Sequence, residues 1–133
     1  MAKLHQSLHL LAAPTWLPAD PCGSSESLVH MDFHPVNIML SNDGSVVLDW
    51  TNAARGDPLV DVAATWVLLA SGEVPGSRLE SLLAGFGRNI FLNAYLGPFA
   101  DTGVKNLLRE VVEWKSQDPH MSFSEIHRMR SLI

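Results

Sequence analysis

The chain has 133 residues, 47% of them hydrophobic and 17% charged, with a net charge of −5. This describes one globular domain able to bury a core, and the acidic balance argues against a dedicated nucleic-acid binder, which carries a basic footprint. A single cysteine, Cys22, excludes an internal disulfide and any paired-cysteine zinc site.

Leu4, Leu8 and Leu11 recur at i, i+4 and i+7, which predicts an amphipathic helix from Ala2 to Ala12, within residues 1–13, ended by Pro14. His5 and His9 lie one turn apart, a spacing that suits a shared metal ion and equally the polar flank of the leucine stripe; the helical period favours the flank. The proline-rich "PTWLPADPCGSSES" is a loop, expected to be pinned to the core by Trp16 and Leu17, with Cys22 packed or idle rather than reactive. "NIML" and "SVVLDW" are strand candidates around the turn formers "SNDG", with Gly44 placed for positive φ, and together they predict a β-hairpin. Asp57 and Pro58 then suit the N-cap and first position of a helix running to Ser71-Gly72. Its apolar stretch, Leu59 to Ala70, is too short to span a bilayer and carries Asp61.

After a loop, "GEVPGS", a second helix is expected from Arg78 to Tyr95, with Leu79, Leu82, Leu83, Phe86, Ile90 and Leu92 inward and Gly97-Pro98 as its stop. A third covers Thr102 to Lys115, with Val104, Leu107, Leu108, Val111 and Val112 on one face. A last begins at Ser122, where "SFSE" fits a capping box. The acids Glu73, Glu80, Asp101, Glu110, Glu113, Asp118 and Glu125 read as a solvated face, or as an attraction for a cationic acceptor beside Trp114. His120, His127, Arg128 and Arg130 read as a solvated basic tip. No export signal is evident, and a cytoplasmic protein with no membrane or nucleic-acid partner is expected.

The chemistry gathers in "HMDFHPVN", residues 30–37. The spacing His30-x-Asp32-x-x-x-x-Asn37 is that of a kinase catalytic loop, and Asp49 ends the second hairpin strand, where a metal-holding aspartate is needed. Antiparallel strands return Asp49 to the end of the hairpin that carries the loop, so Asp32, Asn37 and Asp49 should converge. Asp32 would orient an acceptor hydroxyl and take its proton, and Asn37 and Asp49 would hold Mg2+ through oxygen. A rival use of the same stretch is a metal-dependent hydrolase with His30, Asp32 and His34 as ligands.

"HMDFHPVNIML" followed by "VVLDWTNAARGDPLVDVA" resembles the aminoglycoside phosphotransferase and choline-kinase-like family, in matches at His30, Asp32, His34, Pro35, Asn37, Asp49, Trp50, Ala53, Gly56, Asp57, Pro58, Asp61 and Ala63. "KLHQSLHLL" resembles the helix that precedes this loop, so the likeness extends from near residue 1 to about residue 70. It implies Asp32 as catalytic aspartate, Asn37 and Asp49 as metal ligands, ATP and Mg2+ as cofactors, and a small hydroxyl-bearing acceptor. His30 and His34 would shape the loop, while Asp57 and Asp61 would cap a helix or tie down loop backbone. Met31 and Val36 stand where glycine is common.

The implied fold is α+β and mostly α-helical: the C-terminal lobe of a protein-kinase-like fold, a single domain over 1–133 with one small hairpin within 28–50 and a helical part over 57–133. No Gly-rich loop and no strand lysine accompany it; the lysines are Lys3, Lys105 and Lys115. The expectation is a lobe with weak Mg-nucleotide binding and little turnover alone, or a non-catalytic scaffold module. Its uncovered apolar surface should bring a homodimer or a separate N-lobe-like chain.

Overall fold

The computed structural model describes residues 1–22, 25–72 and 78–133, the side chains of 78–86 excepted. The expected loop at 73–77, the acids Glu73 and Glu80, and the inward positions Leu79, Leu82, Leu83 and Phe86 lie outside the described residues.

The first helix, α1, spans Ala2–Leu8 and is shorter than the sequence period predicts. Beyond it the chain runs alongside residues 26–28: Leu28 N–H donates to Leu11 O at 2.8 Å and Ala13 N–H to Glu26 O at 2.9 Å. These backbone groups are satisfied by pairing across the loop, which outranks one more helical turn. The buried residues of α1 are His5 and Leu8, while Leu11 is exposed.

Two small antiparallel sheets follow. Strands β1 (Ser27–Val29) and β4 (Ala54–Gly56) pair with Leu28 opposite Arg55; β2 (Ile38–Ser41) and β3 (Gly44–Val47) form the expected hairpin, with Ile38 opposite Val47. Gly44 has φ of 126°, as the tight turn requires. The β1–β4 pair corrects the expectation of a single hairpin. Three-residue strands are too short to display an alternating pattern, yet this pair anchors both ends of the segment that carries the candidate site.

Helix α2 (Pro58–Ser71) is the centre of the molecule. Asp57 caps it, accepting from Leu59 N–H at 2.8 Å, with Pro58 in the first turn. Val60, Val62, Ala63, Ala64 and Val67 are all buried, because α2 packs against β1, α3 (Arg78–Leu96), α4 (Leu108–Lys115) and α5 (Phe123–Arg130). The last carbonyls of α2 are held by cations: Arg88 reaches Ala70 O and Gly72 O, and Arg128 Nε donates to Ser71 O at 2.8 Å. Arg128 is therefore not part of a solvated basic tip but completes a helix C-terminus. The expected third helix divides into a 3-10 turn, Val104–Leu107, and α4; Val104, Leu108, Val111 and Val112 are buried. Ser122 and Glu125 form the capping box of α5.

Two apolar residues depart from expectation. Trp16 is 79% exposed and does not pin its loop, and Ile90 is 56% exposed on α3, whose inward residue here is Tyr95. The proline-rich loop is fixed instead by Asp20, which is buried. Its carboxylate accepts Cys22 N–H at 2.8 Å and Asp57 N–H at 2.6 Å. A Cβ on Gly56 would overlap that carboxylate. Because both oxygens are engaged, Asp20 cannot swing away freely, and Gly56→Ala is expected to destabilise the protein by about 1–3 kcal/mol. Thermal unfolding checks this; an unchanged melting temperature would mean that Asp20 relaxes at no cost.

Candidate active site

Residues 30–37 run from the end of β1 to the start of β2, through a 3-10 turn at Pro35–Asn37. Three contacts hold this loop to the hairpin and to α2. Leu48 N–H donates to Asn37 O at 2.8 Å, which extends the hairpin ladder by one step. His30 Nε2 lies 2.9 Å from Leu48 O and donates to it. Asp61 accepts His30 N–H at 2.7 Å and Met31 N–H at 2.8 Å. Asp61 thus ties the loop backbone down from α2, while Asp57 is the helix cap.

The same carboxylate binds α1. Asp61 Oδ2 takes His5 Nε2 at 2.9 Å and His9 Nε2 at 3.1 Å. A carboxylate only accepts, so neutral His5 donates from Nε2 and its Nδ1 is left as an acceptor. Tyr95 supplies the matching donor from α3, its hydroxyl 2.7 Å from Nδ1. Burial pushes the Tyr95 phenol up and keeps it a donor; burial also lowers the His5 pKa, so the ring stays neutral. Phe33 of the loop stacks on His5 with ring centroids 3.9 Å apart. His5, Tyr95 and Asp20 were not singled out by the sequence as supports. The His5–His9 spacing was the one local signal, and its partner is 52 residues away.

Within the loop, Asp32 is half-buried and Asn37 buried. Asn37 Nδ2 donates to Asp32 O at 3.0 Å and to Asp32 Oδ2 at 3.3 Å, which turns its amide nitrogen inward and leaves the oxygen as the end available to a cation. His34 Nε2 lies 3.6 Å from Asp32 Oδ2. That imidazole holds the Asp32 carboxyl below the usual carboxylate range, against the opposing effect of burial. The second hairpin strand stops at Val47, so Asp49 lies two residues beyond it, at φ of 55° and exposed; its Oδ1 accepts the Thr51 hydroxyl at 2.6 Å. The hairpin register therefore puts Asn37 across from Leu48, one residue from Asp49.

Among the described residues the side chains of His30, Asp32 and His34 are not gathered as a set of metal ligands, and His30 Nε2 is engaged by Leu48 O. Asp49 opens onto a pocket of about 490 Å³ that Thr51, Asn52, Trp114, Lys115, Gln117, Asp118 and His120 complete. Lys115 is almost buried there and its Nζ donates to Asp118 Oδ2 at 2.9 Å. Cys22 lies elsewhere, its thiol donating to Glu110; burial first, then that carboxylate, pushes it up to about 12, so the thiol is inert at neutral pH.

Residues 2–98 match the family model described as the phosphotransferase enzyme family. No curated protein and no solved structure matches the chain significantly.

Proposed function

This chain belongs to the phosphotransferase enzyme family, and on that premise we propose that it is the C-terminal lobe of a small-molecule kinase, carrying out ATP- and Mg2+-dependent phosphoryl transfer to a substrate hydroxyl. The observation that supports the reading is that Asn37 hydrogen-bonds Asp32 on one side and pairs with Leu48, the chain neighbour of Asp49, on the other. Asn37 and Asp49 fit Mg2+, because each offers a side-chain oxygen that its hydrogen bonds leave unblocked. Bound there, the ion would neutralise charge on the nucleotide phosphates.

Asp32 acts on the acceptor. Held ionised by His34, it accepts a hydrogen bond from the substrate hydroxyl, aligns it and receives its proton as the new bond forms. The pocket beside Asp49 is the acceptor's place: Trp114 supplies a stacking face and Asp118 a carboxylate for a hydroxyl or cationic group. The 133 residues contain no Gly-rich loop or strand lysine to cover the phosphates, so Mg-nucleotide affinity of this lobe alone is weak and its turnover low.

Calorimetric titration with Mg-ATP tests the reading. Weak binding that requires Mg2+ and is lost in Asp49→Ala is expected; equal and negligible binding in both proteins would favour a non-catalytic scaffold module.

Leu10, Leu11, Trp16, Leu40, Val46, Leu48 and Trp50 are among the exposed apolar residues, and their cover by a second copy or an N-lobe-like chain is part of this reading. Light scattering is expected to show a dimer for the isolated chain, and a clean monomer at high concentration would count against self-association. Among the described residues no helix is long and apolar enough to cross a membrane.

A further inference from the structure

We propose that His5, His9 and Asp61 form a binding site for a divalent transition-metal ion such as Zn2+, separate from the oxygen ligands at the end of the hairpin. Among the described residues, these three side chains bring their ligand atoms together within 4.8 Å of one another. His5 and His9 stand one helical turn apart, so both imidazoles leave α1 and its C-cap on one face. Their Nε2 atoms meet the same carboxylate oxygen, Asp61 Oδ2, at 2.9 and 3.1 Å. A tetrahedral zinc ion with nitrogen and oxygen ligands at about 2.0–2.2 Å separates them by roughly 3.3 Å, so the three ligands need to part only slightly to admit it.

The donor set chooses the ion. Two imidazoles and one carboxylate suit Zn2+, Co2+ or Ni2+ and are poorly matched to Mg2+, which takes oxygen. The outer partners are those a metal-bound histidine needs. With Nε2 on the metal, the His5 proton moves to Nδ1, where the Tyr95 oxygen at 2.7 Å accepts it. Met31 N–H holds Asp61 Oδ1 at 2.8 Å and His30 N–H holds Oδ2 at 2.7 Å, so Oδ2 would bind the ion as a monodentate ligand while keeping that one backbone hydrogen bond. The side chains of His5 and Asp61 are fully buried, whereas that of His9 is 7% exposed. The ion enters past His9 and keeps a water there as its fourth ligand.

Asp61 also holds the backbone of His30 and Met31. A metal on Asp61 therefore joins α1 and α2 to the chain immediately before Asp32, and its occupancy stiffens the candidate catalytic loop. This site stands independently of the proposed kinase reading, because none of its ligands is a proposed nucleotide or acceptor group.

The test uses the chelator-stripped chain titrated with Co2+ and then Zn2+, read by visible absorption of bound Co2+ and by the imidazole NMR signals. One equivalent is expected to bind, shifting the His5 and His9 resonances, with excess Mg2+ unable to displace it. His9→Gln, which keeps a donor toward Asp61 and so preserves the fold, is expected to weaken binding at least about tenfold, whereas His34→Ala binds as the parent does. Absence of stoichiometric binding to the parent chain, undiminished binding by His9→Gln, or loss of binding in His34→Ala would each overturn the site.

Discussion

Asp61→Ala is expected to cost about 3–5 kcal/mol of stability, because several buried donors lose their common acceptor at once. Four donors converge on this fully buried carboxylate: His5 Nε2, His9 Nε2, and the backbone N–H groups of His30 and Met31, at 2.7 to 3.1 Å. Alanine leaves them without an acceptor, in a place water does not reach. Each orphaned donor alone is worth about 1–3 kcal/mol, and a domain of this size has about 5–15 kcal/mol in total. Asp61→Asn keeps the shape but faces an NH2 group toward donors, so it should be nearly as damaging. Urea unfolding in chelator-containing buffer measures the effect, and a loss below about 1 kcal/mol would show that the network contributes little. The pH dependence has a definite sign. Burial alone would raise the Asp61 pKa, but its donors outweigh burial and hold it far below the ordinary value of 3.8. Its contribution is therefore complete well above the ordinary value of 3.8 and is lost progressively as the pH falls from there through the depressed folded-state value.

Met31→Gly should destabilise the protein less than Met31→Ala, an inversion of the usual order. Met31 occupies the left-handed region at φ of 62°, where a Cβ costs about 1–2 kcal/mol. Its side chain is nevertheless 1% exposed within the core cluster. Truncation to alanine forfeits the packing, about 2–5 kcal/mol, and retains the strain. Glycine forfeits the same packing but relieves the strain. Both variants should fall below the parent, with glycine above alanine by about 1 kcal/mol. Thermal or urea unfolding of the pair decides it; alanine equal to or above glycine would mean that the strained turn relaxes in the variants. The loop keeps a side chain where glycine is common because burial outweighs the local conformational cost.

Much of the fold was legible because its signals are local. Asp57-Pro58 announced the start of α2, "SFSE" the capping box of α5, and "SNDG" the hairpin turn, since each motif satisfies backbone groups within a few residues. The hairpin that the spacing of Asn37 and Asp49 implied did form, and its register sets Asn37 opposite Leu48, next to Asp49. The periodic leucines of α1 were less reliable. Leu11 was drawn into pairing with residue 28, a contact no helical repeat encodes.

What the sequence by itself determined is the set of capped helices, the hairpin and the type of chemistry its loop can hold, and with them membership of the phosphotransferase enzyme family. Only the tertiary structure decided how that loop is supported. The contacts of His5 with Tyr95 span 90 residues, those of His5 and Met31 with Asp61 span 56 and 30, and that of Asp20 with Asp57 spans 37. No local pattern marks such pairs. A buried carboxylate must collect donors from whatever elements the packing brings to it, so the partners of Asp61 are settled by the way α1, α2 and the loop after β1 come together.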